Sequence, residues 1–155
     1  MDFNADIYKA IPHRPPFLWV DSVISLDAEG IIAEKFIAPD LAIFEGHYPG
    51  YPIMPGVLLC EAVFQTGALF MANILQQSGK PDGNENRIPV LTRIKEAKFK
   101  REIKPGDTIR MHVVLNETIG NVYFFKGKVI NDNKTAVTVD FACALAAVNL
   151  TAGNT

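Results

Sequence analysis

One histidine and one carboxylate, fourteen positions apart in a chain of 155 residues, carry the clearest chemical signal in this sequence. His47 sits in a stretch crowded with proline and glycine, Glu45-Gly-His47-Tyr-Pro-Gly-Tyr-Pro-Ile-Met-Pro-Gly56. Glu61 sits in an apolar stretch, Val57-Leu-Leu-Cys-Glu61-Ala-Val-Phe-Gln65. A glutamate among aliphatic neighbours is an anomaly, because carboxylates are almost never fully buried unless paired or put to use. An unperturbed imidazole is available as a base near neutral pH. Desolvation disfavours the charged form of a carboxylic acid and so keeps its proton on. Together the two groups suggest one site with a base and an acid in opposed roles. Each also has a plainer reading. His47 could cap a turn in its loop, and Glu61 could be a structural glutamate bonded to Gln65 one helical turn on.

These groups need elements to hold them. Gly56 to Gln77 reads as one long helix that is apolar on every side, hence either buried in a core or membrane-spanning. The membrane reading fails on Glu61, helped by Gln65, Thr66 and Asn73, and on flanks that read as soluble strands. A buried helix needs something wrapped around it, and the rest of the chain supplies strands. Phe17 to Ser25 and Ile31 to Ile37 are separated by an Asp27-Ala-Glu-Gly30 turn. The segment from Pro39 to Pro55 is a loop. After a polar Ser78 to Arg87 loop, Ile88 to Phe99 reads as a strand. Ile109, Met111, Val113 and Leu115 then alternate with polar neighbours. Val122 to Ile130 follows a Gly120-Asn121 turn, and Val137, Val139, Phe141, Cys143 and Leu145 alternate after a second turn. Period-two alternation with short turns is an antiparallel meander with one buried face. The sum is an α+β chain, residues 1–155 in a single domain, with one long antiparallel sheet wrapped around a central apolar helix. Met1 to Ile11 adds a short amphipathic helix, ended by Pro12, Pro15 and Pro16.

Composition excludes several classes. The formal net charge is −2, with 48% hydrophobic and 21% charged residues, which is ordinary for a folded protein. Nothing draws the chain to nucleic acid or to an anionic membrane. The first residues, Met-Asp-Phe-Asn-Ala-Asp, lack a secretory pattern, so a cytoplasmic setting is expected. Cys60 and Cys143 both stand among apolar residues and read as reduced core thiols. Without a CxxC pair or an HExxH, no metal site is expected.

Three motifs resemble one family. His47-Tyr-Pro-Gly-x-Pro-Ile-Met-Pro-Gly56-Val-Leu-x-x-Glu61-Ala-x-x-Gln65 is similar to the signature of FabZ-type β-hydroxyacyl-acyl carrier protein dehydratases. Pro12-His-Arg-x-Pro-Phe17-Leu-x-Val-Asp21 resembles their N-terminal motif. Ala97-Lys-Phe-Lys-Arg-x-Ile-x-Pro-Gly-Asp107 resembles their strand after the helix. The motifs come in family order and span Ile11 to Leu145. Tyr48 stands where phenylalanine is usual, and Trp19 where an aliphatic is usual. Val90 falls near a tyrosine that gates the site in some members, so no gate is carried over.

The resemblance implies the hotdog fold, the wrapped-helix architecture read above. It implies dehydration of an (R)-3-hydroxyacyl thioester to the trans-2-enoyl thioester in fatty acid biosynthesis, with acyl carrier protein as partner and no cofactor. It implies a homodimer or a trimer of dimers, with His47 from one subunit and Glu61 from the other as the catalytic pair. By the same resemblance the Gly56 N–H binds the thioester carbonyl and the Ile53 carbonyl orients His47; Gln65, one helical turn from Glu61, is placed with them among the substrate-binding residues, where it can orient the acid. Gly56 has an independent basis at a helix start, where free N–H groups attract negative charge, although a plain Pro-Gly helix start explains it equally. In FabA-type relatives, which also isomerise the double bond, the acid is aspartate; Glu61 favours dehydration without isomerisation.

His112 alternates with core residues and reads as a surface residue, and His13 reads as part of a structural motif. Arg93, Lys95, Lys98, Lys100, Arg101 and Lys104 form either the solvated face of a strand or a dock for an acidic carrier protein. The alternatives to a dehydratase are a hotdog thioesterase or a dehydratase-like module of a specialised lipid or polyketide pathway.

Overall fold

The computed structural model describes residues 3–77 and 87–147. Helix α1 spans Phe3–Ala10 and helix α2 spans Gly56–Gln77. The strands are β1 Ser22–Leu26, β2 Gly30–Phe36, β3 Arg87–Phe99, β4 Thr108–Ile119, β5 Val122–Asn131 and β6 Lys134–Ala147. A short 3-10 turn covers Ala42–Glu45 within the expected loop. Of the loop expected over Ser78 to Arg87, all but Arg87 lies outside the described residues.

The six strands form one sheet in the order β1-β2-β4-β5-β6-β3, and every pairing is antiparallel. α2 packs on its inner face, touching β2 through β6. Two glycines let the helix come close. A Cβ on Gly127 of β5 would collide with Val63, and one on Gly67 of α2 would meet Phe141 at 2.7 Å. The alternation read in β4 is observed: Ile109, Met111 and Val113 are buried while Thr108 and Arg110 are exposed. α2 is long and apolar enough to cross a membrane, and it is the core helix, with residues from Leu59 to Met71 buried apart from Glu61.

The first strand begins later than the residue pattern suggests, at Ser22 rather than Phe17. The reason lies in its partners. The Phe17 carbonyl and the Trp19 N–H bond to the side chain of Gln65 rather than to a neighbouring strand. Among the described residues β3 pairs only with β6, so its other edge has no strand beside it there. That edge runs thirteen residues and exposes Val90, Leu91, Ile94 and Phe99.

Candidate active site

The loop that carries His47 is built from local rules. Tyr48-Pro-Gly-Tyr51 closes as a tight turn, with Tyr51 N–H bonded to the Tyr48 carbonyl at 3.0 Å. Proline sits at its second position and Gly50, at φ +79°, at its third, where a type II turn requires a left-handed residue. The turn is fastened from outside by Tyr51, whose hydroxyl donates to Glu102 at 2.7 Å. Lys104 lies over the same ring, 5.6 Å from its centroid. The Tyr48 ring stacks on the His47 ring at 4.2 Å.

His47 is bound to Ile53 twice. Its Nδ1 lies 2.9 Å from the Ile53 carbonyl, and the Ile53 N–H donates to the His47 carbonyl at 3.2 Å. A carbonyl only accepts, so Nδ1 carries the proton. In the neutral ring Nε2 is then unprotonated and free to take one. His47 lines a cleft with Tyr48, Ile53, Gly56, Val57, Phe99 and Arg101. Gly56 begins α2, and its N–H has no intrahelical acceptor. A Cβ there would lie 2.6 Å from the Phe99 ring, so any larger residue must push that ring aside.

Glu61 lines a different cleft, with Pro12, His13, Phe64, Gln65, Val90 and Cys143 among its walls. Five residues of helix separate Gly56 from Glu61, about 7.5 Å along the axis and about 140° around it. Within one chain the histidine and the carboxylate therefore address separate spaces. The Glu61 side chain is 22% exposed, covered by its neighbours yet open to its cleft.

Gln65 is fully committed. It is 1% exposed. Its Nε2 donates to Glu61 Oε1 at 2.9 Å and to the Phe17 carbonyl at 2.8 Å, while its Oε1 accepts from the Trp19 N–H at 2.8 Å. With every polar atom engaged inside the protein, it fixes Glu61 and has nothing to offer a substrate directly. The structure also brings up residues the sequence reading gave no role in the site. His13, read as structural, points Nε2 at Glu61 Oε1 across 3.6 Å. Cys143 reaches the same cleft from β6, its thiol pushed up to about 12 by burial, with a smaller push from the Glu61 charge. Phe99 roofs Gly56. His13 and Phe99 each lie in one of the motifs quoted above, which is the available signal; Cys143 has none. His112 is half-buried on the outer sheet face, and burial, with Lys128 and Arg110 adding to it, holds its ring below the usual imidazole range. A further cavity between α1, the β1–β2 hairpin and the end of α2 contains none of the candidate residues. Among the described residues no cluster of histidine, cysteine and carboxylate could hold a metal ion.

Comparison with known proteins identifies the family. The FabA-like domain family model matches residues 11–140. The 3-hydroxyacyl-[acyl-carrier-protein] dehydratase FabZ of Petrotoga mobilis is 40% identical over 122 residues, covering 79% of this chain and 82% of that protein. The protein of the same name from Anaeromyxobacter sp. (strain Fw109-5) is 37% identical over 147 residues, covering 94% and 90%. Among solved structures, a chain of the dehydratase heterocomplex ApeI:P from Xenorhabdus doucetiae superposes with a TM-score of 0.73 at 14% identity, covering 93% of this chain and 91% of that one. E. coli PaaI, from the phenylacetic acid degradation operon, gives 0.60 at 15% identity over 79% and 80%. The structural likenesses establish the hotdog fold, and the sequence likenesses establish the lineage: this chain belongs to the FabA-like family, as a dehydratase of the FabZ type.

Proposed function

We propose that this chain dehydrates (R)-3-hydroxyacyl-acyl carrier protein to the trans-2-enoyl form in fatty acid biosynthesis, at a site assembled from two copies. The unprotonated Nε2 of His47 removes the C2 proton. The electron pair of that C–H bond becomes the C2=C3 double bond as the C3–O bond breaks. Glu61 delivers a proton to the departing hydroxyl, which leaves as water. The Gly56 N–H receives the negative charge that develops on the thioester oxygen. Exchange with solvent returns the His47 proton to Glu61. The reaction is redox-neutral and calls for no cofactor.

The observation that carries this reading is the division of labour along β3. Its first residues, Ile88 to Leu91, line the Glu61 cleft, while its last, Phe99, lines the His47 cleft. Antiparallel pairing of two such edges about a two-fold axis sets the first residues of one strand against the last of the other. Such a pairing brings the Glu61 cleft of one copy to the His47 cleft of its partner. A long edge exposing Ile94 and Phe99 favours being covered in this way. A trimer of such dimers is a further step of assembly on the same unit. Lys100 and Arg101 border the His47 cleft, where they can steer an acidic carrier protein to its mouth. A cytoplasmic setting suits two free, buried cysteines.

Subunit exchange tests the proposal. His47→Ala and Glu61→Ala should each lower turnover by roughly 10²–10⁴-fold. Equal mixing under exchange makes half the dimers mixed, each with one intact site, and should restore about a quarter of wild-type activity. No recovery despite proven exchange would place both residues in one copy. Wild-type protein that leaves 3-hydroxyacyl carrier protein unchanged would reject the activity itself.

A further inference from the structure

The mechanism above leaves one neighbour of Glu61 unused. His13, in the loop after α1, sets its Nε2 3.6 Å from Glu61 Oε1, with the two side chains only 25% and 22% exposed. The other ring nitrogen, Nδ1, is buried and has no hydrogen-bond partner among the described residues. A neutral imidazole carries a single N–H, and a buried N–H without an acceptor is strongly disfavoured. The proton therefore belongs on Nε2, the nitrogen that faces the carboxyl. Burial, the largest cause, lowers the pKa of His13 and favours the neutral ring.

The loop is held so that this contact persists. The Arg14 guanidinium donates to the carbonyls of Tyr8, Ile11 and His13 at 2.8, 2.9 and 2.7 Å, pinning the chain as it leaves α1. On the other side Gln65 bonds the Phe17 carbonyl and the Trp19 N–H. The His13 ring stacks on Phe17 between these anchors, at 6.4 Å. Gln65 and His13 both address Oε1 of Glu61, and Oε2 has no hydrogen-bond partner among the described residues. The remaining titratable wall of that cleft is Cys143, which burial keeps as a neutral thiol.

We infer that His13 is a positioning residue for the dehydration: its Nε2–H and the Gln65 amide together hold Glu61 Oε1, which presents Oε2 and its proton to the C3 hydroxyl. The inference rests on the reading of Glu61 as the acid. At 3.6 Å the contact is longer than a hydrogen bond, and polar contacts at catalytic groups commonly tighten in the Michaelis complex. His13 acts through Glu61 and does not touch the reacting atoms.

The test is a double-mutant cycle on the full-length protein, with 3-hydroxyacyl carrier protein as substrate and single-turnover rates for the slow variants. His13→Leu removes the donor and should lower kcat by ~30-fold with KM changed less than ~2-fold, as expected for a contact that matters mainly in the transition state. His13→Gln keeps an N–H near the Nε2 position and should stay within ~3-fold of wild type. On a Glu61→Gln background His13→Leu should cost less than ~2-fold more, because the group it serves is gone. If His13→Leu folds poorly, His13→Phe retains the ring on Phe17 and takes its place. A His13→Leu or His13→Phe enzyme within ~3-fold of wild type would overturn the inference, as would equal losses on both backgrounds or a glutamine variant as slow as leucine. Glu61→Gln turning over at the wild-type rate would reject the assignment of the acid, and it reads out in its own arm of the cycle.

Discussion

His47 and Ile53 clasp each other: the ring Nδ1–H reaches the Ile53 carbonyl at 2.9 Å, and the Ile53 N–H returns to the His47 carbonyl at 3.2 Å. The pair closes a loop around a Pro-Gly turn and settles the imidazole tautomer in one stroke. Backbone hydrogen bonds thus orient the ring, with Tyr48 stacked on its face at 4.2 Å. The partner carboxyl is organised differently, by the side chains of Gln65 and the N-terminal loop.

Gln65 ties that loop to α2, so its loss should be felt in stability as well as turnover. Gln65→Leu leaves the Trp19 N–H and the Phe17 carbonyl without their partner. Two such groups at ~1–3 kcal/mol each predict a loss of ~2–6 kcal/mol in urea unfolding, together with a fall in kcat. A change below ~1 kcal/mol would mean that water replaces the amide.

Gly56 has no room for a methyl group beneath Phe99. Gly56→Ala must push the ring aside or shift the start of α2. We expect kcat/KM to fall by ~10²-fold with only a small change in melting temperature, because an ångström of misplacement at a reacting centre is costly. Adding Phe99→Ala should recover part of the loss. An unimpaired Gly56→Ala enzyme would show that the substrate does not approach this backbone.

Reversing Lys98, Lys100 and Arg101 together should slow turnover of carrier-bound substrate by ~10-fold and leave a pantetheine thioester within ~2-fold. The carrier-bound rate should also fall with salt, since screening is strong beyond about 8–10 Å at physiological ionic strength. Equal losses on both substrates would assign the patch to the site rather than to docking.

With trans-2-decenoyl carrier protein the expected product is the (R)-3-hydroxy thioester, by reversal of the dehydration, with little cis-3-decenoyl product. Glu61 extends one methylene beyond an aspartate, and ~1 Å at the reacting centre separates protonation of the C3 oxygen from the reprotonation that moves the double bond. Chromatography of the products decides the matter, and abundant cis-3 isomer would make this a bifunctional enzyme.

Cys143 is buried and its thiol is raised from the ordinary 9.0 to about 12, chiefly by desolvation. A group whose folded pKa is raised stabilises the fold fully below its unfolded pKa and loses that contribution as pH climbs through the folded value. The Cys143 contribution is therefore complete below about pH 9 and fades toward about 12. At pH 8 a disulfide reagent should leave Cys60 and Cys143 unmodified in the native protein and label both after unfolding. Rapid labelling of the native protein at pH 8 would show that the Glu61 cleft opens to solvent.

Much of this molecule is written locally. The span of α2 follows from an unbroken apolar run that begins at Pro55-Gly56, where proline and glycine suit a helix start. The meander follows from alternation between turn residues, and the His47 turn follows from Pro49-Gly50. Each depends on neighbours a few residues apart, and such rules operate before the chain is packed. The pairing of Gln65 with Phe17 and Trp19 spans 48 and 46 residues, and no local preference specifies it. That pairing withdraws Phe17 to Trp19 from the first strand and carries His13 to Glu61. The separation of His47 and Glu61 into two clefts is likewise a product of packing: the loop lies near the start of α2, and the helix turns the carboxyl to another side. Residue types and spacing determined which groups could do chemistry. Which of them meet depended on how the sheet closes over the helix, because burial and long-range hydrogen bonds are satisfied only in the assembled fold.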